Sequence, residues 1–465
     1  MMLQRRADLQ RTGNPWLTKL PKDWQLLRLK FLCEINPGKS EIASMKLDTS
    51  VSFLPMELIG DDGTLTLTET RELGQVYAGF TYFREGDVVV AKITPCFENG
   101  KGAICKGLVN GIGFGTTELH VLRPKSFLDN RFLYYITHSE LFRNTGTALM
   151  TGAAGQKRVP PSFLADFEIG VPSVEEQRAI ADFLYEQTAK IDALIDKKRQ
   201  LIALLQEKRT ALISHAVTKG LDPTMPMKES GVAWLGEMPA HWTLLRLKYV
   251  SKIQSGLTLG RDLRNRETIR CPYLRVANVQ DGYLDLDEIT YVDILPHEVD
   301  RYRLQHGDVL MTEGGDFDKL GRGYVWDSQI DDMLHQNHVF AVRVDRHCIK
   351  PHYLAHLTAS LHGKNYFTST SQQTTNLATI NQQKLNNFPI PLPPIKEQQE
   401  ILNLIAVSSA YFKRLLTLTA DAISKLEEYR TALISAAVTG QIDVRPHVAP
   451  APSPTFPETL EFPGK

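Results

Sequence analysis

The second half of this chain repeats the first, which limits its fold more than any other feature. WLTKLPKDWQLLRLKF at 16–31 matches WLGEMPAHWTLLRLKY at 234–249, so that Trp16 pairs with Trp234, Pro21 with Pro239, Trp24 with Trp242 and Arg28 with Arg246, an offset of 218. From Gly86-Asp87-Val88, which matches Gly307-Asp308-Val309, the offset is 221; it holds for Phe167 and Phe388. It also holds for Arg209 to Thr218 against Arg430 to Thr439. Between the matched ends of each copy, similarity survives only at framework positions. A shared frame with divergent contents implies two copies doing one job on different targets.

The end of each copy reads as a long helix. From Val174 to Thr218 apolar residues follow a 3–4 spacing (Ile180, Leu184, Ile191, Leu194, Leu201, Leu205, Leu212), broadened by Ile195 and Ile202. The second copy repeats it with Ile401, Ile405, Phe412, Leu415, Leu426 and Leu433, broadened by Leu416 and Ile423. Prolines precede each run (Pro172; Pro391, Pro393, Pro394) and acids open it (Glu175, Glu176; Glu397), both helix-start features. At about 1.5 Å per residue such helices span on the order of 65 Å. Helices of that length need a packing partner, so the two are expected to pack on each other. Polar seam positions recur in both copies, Gln187 with Ser408 and Lys198 with Thr419, and would fix register or merely end the buried stripe.

Within each copy the pattern is of short β-type runs (Asp87 to Ala91, Glu118 to Leu122; Asp308 to Met311, His338 to Val344) and helical stretches near 128–143 and from Pro351 to about Leu361. The expected class is α+β, two mixed α/β domains in tandem separated and joined by two long helices. The expected layout is an N-terminal arm (1–14), a first domain (15–171), a long helix (172–222), a linker (223–233), a second domain (234–391), a second long helix (392–444) and a proline-rich, disordered tail (445–465). No unbroken run of eighteen apolar residues argues for a membrane span, and the first residues hold no secretory signal. Five scattered cysteines without a CxxC pair argue against a disulfide framework or zinc site and for a reducing cytoplasm. Lys and Arg together number 53, as do Asp and Glu, so any nucleic-acid binding requires basic residues segregated onto particular faces.

The ordered set WL..P..W..LRLK, GDVV or GDVL, F.I..P, a long helix and TALIS.AVT, in duplicate over about residues 15–444, resembles the DNA-specificity subunit of type I restriction–modification systems. VVAKITPCFENGKGA (89–103) resembles the framework of one class of target-recognition domain, and LMTEGGDFDKLGRGYVW (310–326) with LHQNHVFAVRV (334–344) that of another. The resemblance implies that each domain contacts one half of a split site on double-stranded DNA. It implies an antiparallel coiled-coil spacer and a pseudo-twofold scaffold for two methyltransferase subunits, joined by two motor/nuclease subunits in a full restriction complex. Adenine methylation and restriction would belong to those partners. S-adenosylmethionine, ATP and Mg would be bound there too, leaving this chain non-catalytic and without a cofactor.

Base reading requires side chains that reach groove edges. In the first domain the candidates are Lys92, Glu98, Asn99 and Lys101 on one turn-rich segment, with Gln156, Lys157 and Arg158 on the loop TGAAGQKR. In the second they are Glu313, Asp316, Lys319 and Arg322, then Gln336 and Asn337, and Gln372, Gln373 and Asn376 in the polar run from Ser369. Arg261, Arg264, Arg266 and Arg270 form the densest basic cluster and suit phosphates. Each residue taken singly also reads as an ordinary solvated turn former. His335/His338 and His352/His356 lack the further ligand of a zinc site, and Gly111-Ile-Gly-Phe-Gly reads as a loop rather than a dinucleotide fingerprint. Neither a phosphate-binding GxxxxGK[ST] nor a methyltransferase motif occurs. The competing readings are a stand-alone nuclease and a coiled-coil scaffold without DNA contact.

Overall fold

The computed structural model describes residues 5–153, 155–260, 262–315, 320, 321, 323–373 and 378–444. The chain divides into two compact units, residues 1–198 with 421–465 and residues 199–420. The long helices run Val174–Lys219 and Ile395–Val438, so each gives one half to each unit.

In the first unit, one four-stranded sheet has the order Glu69–Glu72, Ser50–Leu54, Ile112–Gly115, Thr81–Arg84, with the two central strands parallel. Ile112–Gly115 lies in the segment expected as a loop. It is a paired strand because Gly113 and Gly115 let neighbouring groups approach where a Cβ would meet the Phe83 ring or Leu54 O. The other sheet, Cys33–Ile35, Leu119–Pro124, Val88–Ala91, Gly102–Ile104, is antiparallel throughout. The single helix expected near 128–143 is two, Asn130–Thr137 and Glu140–Ala148, since the Ser139 side chain caps the second by accepting from Phe142 N.

The second unit repeats the antiparallel sheet as Ser251–Ser255, Val339–Val344, Val309–Thr312, Gly323–Val325. Beside it stands a smaller sheet, Thr290–Ile294, Ile269–Leu274, Leu334–His335. Its helix pair is Pro351–Ala359 and Leu361–Thr370, with Ser360 as the second cap.

In each unit the half-helices run antiparallel. Asp192 meets Arg430 while Glu176 bonds Arg6, whose backbone N donates to Gln441 O, so rising numbers on one helix face falling numbers on the other. Likewise Gln206 and Ser409 line one cavity with Ile213 and Leu402. Ile180, Leu184, Ile191 and Ile195 share the first unit's core with Leu433 and Ile434; Ile401 and Ile405 enter the second. Leu194 and Leu201, assigned to the buried seam, are each 43% exposed. The second long helix is, by length and composition, long and apolar enough to cross a membrane, although no unbroken apolar run marks it.

Candidate nucleic-acid interface

Two matched devices recur in the frame of each unit. Gly86 and Gly307 both sit at φ 86°, the left-handed turn that a side chain disfavours, and each delivers the next residue inward. Asp87 accepts from Arg123 Nε and Nη2, both at 2.8 Å, and from Arg84 N at 2.9 Å. Asp308 accepts from Arg343 Nε and Nη2 at 2.8 and 2.7 Å and from Gln305 N at 2.8 Å. The second device is a buried glutamine on the first turn of each long helix. Gln177 Oε1 accepts from Asp129 N and its Nε2 donates to the carbonyls of Phe127 and Pro172. Gln398 makes the same three bonds, to Lys350 N, Cys348 O and Pro393 O. These glutamines tie each domain's helix pair to its long helix. Their recurrence at offset 221 is the one mark they leave in the sequence, since a lone glutamine carries no signal of its own by residue type.

In the first unit the two candidate loops meet. Thr94 N donates to Lys157 O at 3.0 Å, Ile93 bridges Arg158, and the Lys92 backbone is held by Glu118 O and Val159 N. Glu98, Asn99, Gln156 and Lys157 are exposed. Lys101 is half-buried and donates to Met56 O, and Arg158 is held bidentately by Glu118, both bonds 2.9 Å. The Arg158 guanidinium, helped by Lys92, holds the Glu118 carboxyl below its ordinary range against the opposing effect of burial. Glu118 thus fixes the loop's arginine, a role that its place in an apolar β-run concealed.

In the second unit the strand Gly314–Gly315 pairs with Ala378–Thr379, which pairs with Gln372–Gln373, bringing the neighbourhood of Glu313 to the polar run. Glu313 Oε2 contacts His338 Nδ1 at 2.6 Å. Gln336 Oε1 accepts from Val276 N, and Asn337 Nδ2 lies 3.3 Å from His338 Nε2. Arg264 is clasped by Asp262, while Arg266 is exposed and Arg270 lies over the Tyr291 ring at 5.5 Å. Arg261, Asp316, Lys319, Arg322 and Asn376 lie outside the described residues.

The family model for the type I restriction modification DNA specificity domain matches twice, at residues 21–204 and 239–428, well over half of the chain. The chain belongs to this family of specificity domains. Each match takes in one recognition domain and the start of its long helix or most of it. The chain is 45% identical over 165 residues to the type I restriction enzyme EcoAI specificity subunit of Escherichia coli, a stretch covering 35% of this chain and 27% of that protein. It is 42% identical to the EcoEI specificity subunit of Escherichia coli, over the same shares of each chain. Identity to the EcoKI specificity subunit of Escherichia coli (strain K12) is 24%, over 69% of this chain and 68% of that one. Among solved structures, the HsdS subunit from Thermoanaerobacter tengcongensis aligns over 91% of this chain and 98% of its own, with TM-score 0.52 and 19% identity. A chain solved in work on complex assembly and conformational transition of the type I R-M system aligns over 91% and 99%, with TM-score 0.64 and 19% identity. The specificity-domain fold therefore extends across nearly the whole chain, including stretches where identity is low.

Proposed function

We propose that this chain is the specificity subunit of a type I restriction–modification complex, with each domain reading one half of a bipartite DNA target. The observation carrying the proposal is the double match to the specificity-domain family, each copy holding its own loop cluster on the same Gly-Asp and glutamine framework. In the first domain Glu98, Asn99, Gln156 and Lys157 read bases, with Lys92, Lys101 and Arg158 shaping the loops. In the second, the strand pairs around Glu313, with Gln336, Asn337 and the Gln372–Asn376 run, do the same. Arg264, Arg266 and Arg270 bind phosphates, with Arg261.

The chain itself carries no chemistry in this reading and needs no cofactor. Two methyltransferase subunits, which hold S-adenosylmethionine, modify adenine in the cytoplasm, and two motor/nuclease subunits cut with ATP and Mg. Exposed apolar residues on both long helices (Tyr185 and Leu204; Val407, Tyr411 and Leu418) support docking of other subunits there. With zero formal net charge, the chain alone binds DNA weakly and gains affinity in the complex. The test is exchange of residues 15–171 for another first domain, followed by methylome sequencing. One half of the methylated motif changes and the other stays; an unchanged motif refutes the assignment.

A further inference from the structure

The two copies place a cavity at the same point, between the domain's first helix and the long helices, and have made different things of it. In the first unit it measures about 260 Å³ and is filled by tyrosines and internally paired charge. Tyr134 donates to Asp62 O and lies where a Cβ on Gly63 would be. Arg430 pairs with Asp192, and Arg131 with Asp182.

At offset 221 Tyr134 and Tyr135 become Ala355 and His356, and the acids Asp182 and Asp192 become Asn403 and Lys413, while Arg430 is matched by Arg209. Asp281-Gly282 repeats the Asp62-Gly63 turn, yet nothing lies within 4 Å of a Cβ built on Gly282. The second cavity measures about 620 Å³, within the usual range for small-molecule sites. Arg209, Lys350 and Lys364 line it, and among the described residues none of the three has an acidic partner. His352 and His356 also line it, with Asp281 as its one lining carboxylate. Burial first, and then the neighbouring His352 and Arg209, holds the His356 ring down to about 4. Arg209 is exposed and Lys350 and Lys364 are half-buried, so all three can turn to an anion that enters the cavity.

We propose that this cavity binds a small phosphorylated molecule, its di- or triphosphate held by Arg209, Lys350 and Lys364. Three cations against one carboxylate favour a polyanion over a single carboxylate ligand. Nothing in the family assignment requires this site, and none of the residues that line it is among the candidates for DNA reading.

The test is calorimetric titration of the full chain with inorganic triphosphate at constant ionic strength. Duplex DNA is titrated in a parallel arm. One triphosphate binds per chain, and Arg209→Gln and Lys364→Gln each weaken it at least tenfold. Lys252→Gln, an exposed lysine away from the cavity, leaves binding unchanged. Absence of saturable binding overturns the proposal, as do equal affinities across the variants. So does loss of DNA affinity in Arg209→Gln with triphosphate binding intact, which would assign the cations to backbone phosphates.

Discussion

Replacing Asp87 by Asn removes a charge at the start of the strand Val88–Ala91 in the first unit's antiparallel sheet and leaves the side chain's shape almost unchanged. The carboxylate is 1% exposed, and its two oxygens take the paired guanidinium donors of Arg123 and the Arg84 amide. An asparagine sets an NH2 against one of these donors and strands the arginine. Breaking a buried pair from one side costs about 3–5 kcal/mol. Arg123 keeps Glu41 as a second acid, which places Asp87→Asn at the low end, about 3 kcal/mol. In Asp308→Asn the stranded Arg343 has no second acid among the described residues but is 35% exposed against 10% for Arg123, so water recovers more of it and the loss is about 2 kcal/mol.

For domains of about 150–250 residues each kcal/mol moves Tm by roughly 2–4 °C, so Asp87→Asn lowers the first unit's transition by about 6–12 °C in scanning calorimetry. Asp308→Asn lowers the second unit's transition instead. A shift under about 3 °C for Asp87→Asn would refute the reasoning, because it would mean the pair is effectively solvated. The apolar replacement of both partners, Asp87→Leu with Arg123→Met, separates the pair's net worth from the cost of stranding one member; it is expected to lose less than Asp87→Asn.

Arg6 is buried against Asp8, Asp23 and Glu176, and its backbone bonds Gln441 O; Arg6→Ala is expected to cost about 3 kcal/mol in chemical denaturation of the first unit and to speed proteolysis at residues 5–11. Burial holds the His138 ring at about 4, below its ordinary 6.5, so between these values the unfolded chain binds the extra proton and stability falls with falling pH. His138→Asn removes up to roughly 3 kcal/mol of that dependence in denaturation curves at pH 7 and pH 4; identical pH dependences in the two proteins would sink the assignment. Arg266→Ala is expected to weaken DNA binding by the assembled complex evenly across sequences and to lower the salt slope by about 1 in filter-binding assays.

The scaffold was legible in the sequence because its signals are periodic or doubled. Both long helices begin at Val174 and Ile395, as the prolines and acids imply, and the antiparallel sheet recurs where Gly-Asp recurs. What failed to show was anything fixed by contact between distant segments. Gly111 to Gly115 looks like a loop because glycine favours turns, yet here it serves the close approach of Phe83 and Leu54 O. Leu194 and Leu201 carry the seam's spacing but stay exposed, since spacing marks a face without saying what covers it.

The candidate site divides along the same line. Residue chemistry points to Lys101, Arg158, Glu313 and Gln336 as groove readers and to Arg264 as a phosphate contact, and the fold gives each a bond within the chain. An arginine clasped by Glu118 reaches a phosphate or base only along the direction that clasp allows, so Arg158 acts with Glu118 or through it. The same logic applies to the matched glutamines Gln177 and Gln398: a polar residue at a helix start reads as a surface residue, yet each of these side chains is buried and bonded to three backbone groups. Repetition is what exposes such residues from sequence. A position kept in both copies while its surroundings diverge holds the frame, and one that changes from Tyr134 to Ala355, or from Asp192 to Lys413, marks where the copies have parted in chemistry.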